Sequence, residues 1–167
     1  IVRDSAAEAG TLAHAAVEAY IKKEPFSFPQ DGEIAKRAET AFLAFIQWAE
    51  QSKLEITASE IRMVSEKHRF GGTMDAVVIG GARAIADWKS SSAVYPDHLV
   101  QLAAYQMLWE ECFPDQPIEG GLHLMRFDKE YGDFSHRHWD SLEAGKRQFL
   151  ALLEAYECDK ELKARAK

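Results

Sequence analysis

Residues 71–89 read GGTMDAVVIGGARAIADWK, and this segment is more informative than the rest of the chain. Short apolar runs on either side of a glycine pair predict two strands joined by a tight turn. Side chains two apart on a strand point to the same face, so Asp87 and Lys89 share a face of the second strand. A three-residue turn at 80–82 would place Asp75, on the first strand, directly opposite Asp87.

Opposed carboxylates on one sheet face repel each other, so the pair needs a physical reason. Asp75 and Asp87 carry the same charge, and Lys89 can offset only part of it. Carboxylate oxygens are the ligands that Mg²⁺ and Mn²⁺ prefer. The hairpin therefore predicts a divalent metal site. The alternative that involves no metal is a plain ion pair between Lys89 and Asp87.

Composition indicates an ordinary globular protein. The chain has 167 residues, 47% of them hydrophobic and 28% charged, which predicts one domain over residues 1–167. Its formal net charge of −7 argues against a broad nonspecific coat of nucleic acid. A local nucleic-acid groove beside an acidic metal site stays compatible with that charge. Basic pairs such as Lys22 with Lys23 and Lys146 with Arg147 are typical of solvated helix faces.

Cysteine use and hydropathy indicate the compartment. Cys112 and Cys158 lack the spacing of a metal site or a disulfide framework, as expected in a reducing, cytosol-like compartment. No segment approaches the roughly 20 apolar residues of a membrane span, and no signal peptide is visible. We therefore expect no membrane partner. Because the chain begins at Ile1 rather than Met, we expect some native N-terminal residues to be missing.

Hydrophobic periodicity predicts the element order ααβββαββα. This order indicates an α/β fold in which helices flank a central mixed sheet, with the first three strands forming an antiparallel meander. The third helix, capped by Asp97, is apolar on several faces and is expected to be buried. The first helix has a capping box at Ser5, and the tail after Tyr156 is expected to fray. The predicted helices are 5–23, 33–51, 97–112 and 141–156, and the predicted strands are 56–69, 71–79, 83–89, 122–127 and 134–139, with a turn at 131–133.

Polar side chains on two helices accompany the hairpin. His14 and Glu18 lie one turn apart on the first helix, and Gln101 and Tyr105 have the same spacing on the third. Each has an ordinary interpretation when taken alone. A histidine in an alanine-rich helix is more often structural than a metal ligand, and Gln101 and Tyr105 fit satisfied core polar groups. Glu18 either supports His14 or is a solvated helix residue.

Three further polar residues lie on the predicted strands. Glu60, taken as the start of the first strand, either reaches a metal through water or is a solvated strand end. His136 and His138 share a strand face, and without a third ligand they are interpreted as surface histidines. Trp88 is expected to pack into the core, on the face opposite its two charged neighbours.

Four motifs occur in a characteristic order: GTLAH, GGTMD, DWK and QLAAY. This set resembles the PD-(D/E)XK nuclease superfamily, and within it the RecB-like branch, which includes phage-type exonucleases and the mitochondrial genome maintenance exonuclease. The resemblance covers about residues 10–110. D-x-K alone is a weak signal, but the ordered set, with helix, hairpin and helix in the right places, is specific. It implies a restriction-endonuclease-like core.

The resemblance implies a role for each motif residue. His14 corresponds to the additional metal ligand of the RecB-like branch. Asp75 and Asp87 correspond to the two carboxylate ligands, and the backbone carbonyl of Trp88 is usually a further oxygen ligand. Lys89 corresponds to the catalytic lysine, which holds the attacking water. The implied cofactor is Mg²⁺ or Mn²⁺, and an imidazole ligand favours Mn²⁺.

The remaining motif and the departures complete the comparison with this branch. Gln101 and Tyr105 resemble the helix motif that supports the active site and contacts the nucleic-acid backbone. Met74 precedes Asp75 where the branch commonly has proline, and Asp87 takes a position that is often glutamate. The four cluster-binding cysteines of some RecB-like nucleases are absent, so no iron–sulfur cluster is expected.

The implied function is metal-dependent hydrolysis of DNA by an exonuclease of phage or cellular recombination and repair. The expected compartment is the cytoplasm of a bacterium or a phage-infected host, or the mitochondrion, and the expected partners are DNA, further copies of the chain or a larger recombination complex. Two alternatives stay open: the nuclease domain of a helicase–nuclease or restriction system acting as an endonuclease, and a non-catalytic nucleic-acid-binding module. The intact set of two acids and a lysine favours an enzyme.

Overall fold

The chain folds as helices packed on both faces of a five-stranded sheet. The computed structural model describes residues 2–127 and 134–166, without the side chains of residues 2–7 and 127. Within these residues the order is ααβββαββα, so the predicted order and the α/β class are confirmed. The elements are α1 (Val2–Lys22), α2 (Glu33–Gln51), β1 (Glu55–Ser65), β2 (Phe70–Ile79), β3 (Arg83–Ser90), α3 (Pro96–Cys112), β4 (Leu122–Phe127), β5 (Phe134–Trp139) and α4 (Glu143–Arg165).

The sheet is mixed, with strand order β1-β2-β3-β4-β5. Strands β1, β2 and β3 form the predicted antiparallel meander, and β4 pairs antiparallel with β5. Only the β3–β4 pair is parallel among the described strands. A parallel pair needs a crossover connection, and α3 supplies it. The crossover places α3 across the sheet face beside the central strands.

The central hairpin has the predicted register. Ile79 pairs with Arg83, and the ladder continues to Ala76 and Ala86 around a three-residue turn. Gly81 in that turn has a φ of 95°, which glycine adopts without steric cost. The next residues along this register are Asp75 and Asp87, so the two acids face each other across β2 and β3.

Two apolar clusters cover the two faces of the sheet. The first packs α1 and α2 against one face, around Phe45 and Trp88. The second packs α3 against the other face, around Ile85 and Leu102. Trp88 is 3% exposed, and its ring lies 5.7 Å from that of Phe45. The prediction that Trp88 packs into the core is confirmed, and by strand alternation Asp87 projects toward α3.

Several predicted helix ends are wrong. α1 begins at Val2, upstream of the capping box predicted at Ser5. α3 begins at Pro96 with Tyr95 as its N-cap, because proline suits the first helical position; Asp97 is therefore inside the helix. The prediction that α3 is buried on several sides is confirmed. The turn predicted at 131–133 lies outside the described residues.

The C-terminal helix and the first strand also end elsewhere than predicted. α4 continues past Tyr156 to Arg165, where Lys160 with Glu157 and Lys163 with Asp159 form ion pairs at helical spacing. β1 ends at Ser65 instead of residue 69. The reason is a turn at residues 66–69, in which the His68 amide donates to Ser65 Oγ at 2.9 Å. None of the described helices is long and apolar enough to cross a membrane.

Candidate active site

The predicted acids and lysine meet where β2 and β3 run beside α3. Asp87 is 1% exposed, and its Oδ2 lies 2.6 Å from Lys89 Nζ, whose side chain is 22% exposed. Asp75 Oδ2 accepts a hydrogen bond from the Trp88 amide at 3.0 Å. The structure therefore brings Asp75, Asp87 and Lys89 together, with Lys89 at the solvent side.

Burial makes ionisation of both carboxyl groups unfavourable. It raises the pKa of Asp87 to about 7, with a further contribution from the charge of Asp75 and an opposing one from Lys89. Burial also raises the pKa of Asp75, although the hydrogen bond from the Trp88 amide and the charge of Lys89 act in the other direction. The two carboxylates therefore repel each other when both are ionised, and a bound cation would reduce this repulsion.

Asp87 has the chemistry of a metal ligand. Both of its carboxylate oxygens are buried; Oδ2 contacts the Lys89 ammonium at 2.6 Å, and Oδ1 has no hydrogen-bond partner. Leaving buried carboxylate oxygens without donors is unfavourable, and a bound cation would satisfy them. Mg²⁺ is usually held by one or two carboxylates and keeps several waters. The pair Asp75 and Asp87 therefore fits such an ion.

The helix α1 contributes the predicted His14. Its side chain is half-buried. Ala13 and Val17, which precede and follow it on the helix, pack in the first apolar cluster. Among the side chains that the structure describes, in residues 8–126 and 134–166, no three of His, Cys, Asp or Glu form a group that could hold a metal ion. A ligand role for His14 therefore stays a prediction. The carboxylate of Glu18, 38% exposed, pairs with Lys22 one turn further along.

Glu60 lies within β1 and not at its start, so that part of the prediction is wrong. The strand pairs on either side of it place Glu60 opposite Asp75, and its charge helps to raise the pKa of Asp75. Its φ is 51°, a left-handed conformation that is uncommon outside glycine and that often marks functional sites. Glu60, Asp75 and Asp87 thus occupy matching positions on three consecutive strands.

The helix α3 places Gln101 and Tyr105 differently. Tyr105 is 9% exposed and packs in the second apolar cluster, and burial followed by the charges of Asp87 and Asp75 raises its pKa. Gln101 is exposed, so its interpretation as a core polar group is wrong. Both residues line a groove of about 400 Å³ next to the acids.

His98 belongs to the surroundings of the site and was not predicted. Burial, and then the charge of Lys89, lowers the pKa of His98, and Asp87 acts on it in the opposite direction. Its Nδ1 accepts a hydrogen bond from the Tyr95 amide at 3.3 Å. The signal that could have found His98 is its position three residues before Gln101, on the same helix face.

A histidine cluster on β4 and β5 was also missed. His123 lies opposite His138, and its Nδ1 is 2.8 Å from His136 Nε2. His123 thus joins His136 and His138, but no three such residues in the described part of the chain could hold a metal ion, and His136 and His138 are exposed, as predicted for surface histidines. Burial, and then the two neighbouring histidines, lowers the pKa of His123 to about 4. Trp48 Nε1 donates to His136 Nδ1 at 3.3 Å, which ties this cluster to α2.

A mixed sheet whose central hairpin presents two buried acids and a lysine, beside a helix with glutamine and tyrosine, defines a class of nucleic-acid hydrolases. The chain belongs to the PD-(D/E)XK nuclease superfamily, whose sequence model matches residues 2–165. The predicted superfamily is thereby confirmed. No curated protein matches the chain in sequence.

A solved structure has the same fold. It is the 2.19 Å crystal structure of a candidate exonuclease from Eubacterium rectale, with a TM-score of 0.57 and 17% sequence identity. The similarity covers 88% of this chain and 64% of that one. The likeness at this identity supports the restriction-endonuclease-like fold, and the present chain spans less than two thirds of that protein.

Proposed function

We propose that the protein is a Mg²⁺- or Mn²⁺-dependent deoxyribonuclease of the RecB-like branch, which acts as an exonuclease in recombination or repair. The observation that carries this proposal is the buried Asp87, which lies beside a second carboxylate, Asp75, contacts the Lys89 ammonium through Oδ2 at 2.6 Å and leaves Oδ1 without a hydrogen-bond partner. A structural protein gains nothing from such an arrangement, because it destabilises the fold. In a metal-dependent hydrolase, the same carboxylates hold the ion.

Each residue of the site has a task in this mechanism. Asp75, Asp87 and the Trp88 carbonyl would hold the ion, which when bound polarises the scissile phosphate and promotes ionisation of water. Lys89 is oriented by its contact with Asp87. Its ammonium group would hold the attacking water and stabilise negative charge that develops on the phosphate.

The helix α3 forms the wall along which the substrate would lie. The exposed amide of Gln101 is available to a phosphate oxygen of the DNA backbone, which accepts hydrogen bonds from such groups. The hydroxyl of Tyr105 is kept protonated by its raised pKa and can donate in the same way. These contacts would position the strand without reading its sequence.

The preference for DNA ends is tested with matched substrates. Purified protein is incubated with end-labelled linear DNA, closed circular DNA and RNA, in Mn²⁺ or EDTA. We expect Mn²⁺-dependent degradation of linear DNA, with closed circular DNA and RNA left intact. Cleavage of both DNA forms would favour the endonuclease alternative. No cleavage of any substrate by folded protein would favour the non-catalytic module.

His14→Ala tests the predicted histidine ligand. We expect Mn²⁺ to bind about 10- to 100-fold more weakly, and Mg²⁺ binding to change less, because imidazole is a better ligand for Mn²⁺ than for Mg²⁺. Titration calorimetry with each ion measures both affinities. His68→Ala, in the turn between β1 and β2, is the control and should bind both ions as the unmodified protein does. Equal Mn²⁺ affinities for His14→Ala and the unmodified protein would make His14 a structural residue.

A further inference from the structure

A groove bounded by β2, α3 and α4 approaches the candidate active site at Tyr105, whose pKa is raised in part by the charges of Asp87 and Asp75. It has a volume of about 400 Å³, and Tyr105 and Gln101 belong to both the site and the groove. The rest of its lining is largely apolar. The lining residues that matter for its chemistry are Phe70 and Gly72 on β2, Val100 and Leu108 on α3, and Phe149 and Leu152 on α4.

Two aromatic rings contact each other at the α4 end of the groove, with an angle of 56° between their planes. The ring centroids of Phe70 and Phe149 are 4.6 Å apart, and both side chains are only partly buried. Leu152 beside them is 56% exposed. Partly exposed aromatic faces next to a nuclease site are suited to stacking on nucleobases, and such stacking tolerates any sequence.

The position of Phe70 on β2 gives an approximate distance between the rings and the candidate catalytic residues. Phe70 precedes Asp75 by five residues on the same strand. At about 3.3 Å per residue, this separation is roughly 16 Å. A nucleic-acid strand advances about 3.4 Å per stacked nucleotide, so the rings lie up to about five nucleotides from the scissile phosphate.

The turn between β1 and β2 carries two basic side chains beyond the rings, next to the exposed acid Glu66. Lys67 and Arg69 are exposed, and in the described part of the chain no ion pair involves either of them. The turn is held to α3 because Glu111 accepts hydrogen bonds from Ser65 Oγ at 2.5 Å and from the Lys67 amide at 3.1 Å. A fixed pair of cations is suited to contact with phosphates.

Beyond Gln101 and Tyr105, the groove favours bases over phosphates. Its walls are mainly apolar, and its one acidic lining residue, Asp97, would repel a phosphate. Bases within a duplex are stacked on each other and are not available to protein rings. An unpaired strand therefore matches the groove better than a duplex does.

We propose that this groove binds unpaired bases of single-stranded DNA, about three to five nucleotides from the scissile phosphate. Phe149 and Phe70 stack with the bases, and Lys67 and Arg69 contact the backbone beyond them. The proposal rests on the proposed nuclease function and adds a single-stranded end as its substrate.

Substitutions at Phe149 separate stacking from packing. Phe149→Leu keeps an apolar side chain but removes the ring, whereas Phe149→Tyr keeps the ring. Tyr156→Ala removes an aromatic side chain that is 61% exposed on the same helix and does not line the groove. Binding is measured by fluorescence anisotropy with labelled single-stranded and duplex DNA in EDTA, so that hydrolysis is not needed.

We expect Phe149→Leu to weaken single-strand binding about 5- to 100-fold and to leave duplex binding unchanged. Phe149→Tyr and Tyr156→Ala should bind as the unmodified protein does. Single abasic sites, moved one nucleotide at a time from the end, should reduce binding to the unmodified protein at about three to five nucleotides. The same abasic sites should have no further effect on Phe149→Leu.

Several results would overturn the groove proposal. The first two are unchanged single-strand binding by Phe149→Leu and an equal loss of duplex binding by this variant. The third is that abasic sites have no effect on binding at any position. The fourth is that Phe149→Leu changes the oligomeric state on gel filtration and not the affinity for DNA. The expected binding pattern in a protein that cleaves no substrate would support the groove and contradict the proposed function. Cleavage of DNA ends that does not depend on Phe149 would support the proposed function and contradict the groove.

Discussion

Lys89→Ala is expected to lower the rate of Mn²⁺-dependent DNA hydrolysis by about 100- to 1000-fold. This is the range seen when one preorganised electrostatic group is removed from an active site. Lys89 Nζ contacts Asp87 Oδ2 at 2.6 Å and reaches the solvent side, where substrate would arrive. The loss should appear in kcat, because the ammonium group acts on charge that develops during the reaction.

A second lysine provides a matched control for this substitution. The Lys146 side chain is 18% exposed, close to the 22% of Lys89, and also pairs with an acid, Glu110, at 3.2 Å. Lys146→Ala should therefore lose an ion pair to a more exposed acid, Glu110, which is 47% exposed, without any loss of rate. If Lys89 only neutralised Asp87, Lys89→Ala would change stability and leave kcat intact. That result would remove Lys89 from the mechanism.

Asp87→Asn is expected to abolish activity while making the metal-free protein more stable, by about 1–3 kcal/mol at pH 8. The amide has nearly the same shape as the carboxylate but carries no charge, so it removes the repulsion with Asp75 and the unfavourable burial of an ion. A gain in stability on loss of a residue required for activity is the behaviour of a strained active site.

The pH dependence of this stability difference follows from the pKa of Asp87. Its pKa in the folded protein is raised from 3.8 to about 7, so the folded state holds a proton that the unfolded state has released between these values. For the unmodified protein, this stabilisation is complete below about pH 4 and is lost as the pH rises through 7. Asp87→Asn lacks this loss, so its advantage should grow from pH 5 to pH 8.

Thermal and urea unfolding in EDTA at several pH values measure the effect. Asp140→Asn, which changes a fully exposed acid, is the control and should show no such gain. Adding Mn²⁺ should stabilise the unmodified protein and not Asp87→Asn, because ligand binding stabilises only a state that binds it. A variant that is less stable than the unmodified protein at pH 8 would contradict the electrostatic interpretation of the site.

Local patterns predicted much of this structure. The bounds of α2 follow from its helical periodicity, and the register of the β2–β3 hairpin follows from its turn length and side-chain alternation. Both features depend on residues that are close in sequence. The proximity of Asp75, Asp87 and Lys89 has the same origin, so it was accessible before any tertiary structure.

Features that depend on distant pairing were missed or misplaced. Glu60 was taken for the start of a strand, and only the β1–β2 register places it opposite Asp75. His123 precedes His136 by 13 residues, and the pairing of β4 with β5 brings their rings together. The end of α4 was placed too early because ion pairs at helical spacing outweigh the low hydropathy of its last turns.

The amino-acid sequence thus specified the chemistry of the site. A short hairpin places two acids and a lysine on one face of the sheet, and this placement follows from the turn length and the alternation of side chains along each strand. The folded chain specified the environment in which that chemistry would act. Packing of α3 over the sheet buries Asp87 to 1% exposure and raises its pKa, and α4 brings Phe149 to Phe70 to form the end of the groove. Burial and long-range contacts arise only when distant segments pack together, which is why no local pattern contains them.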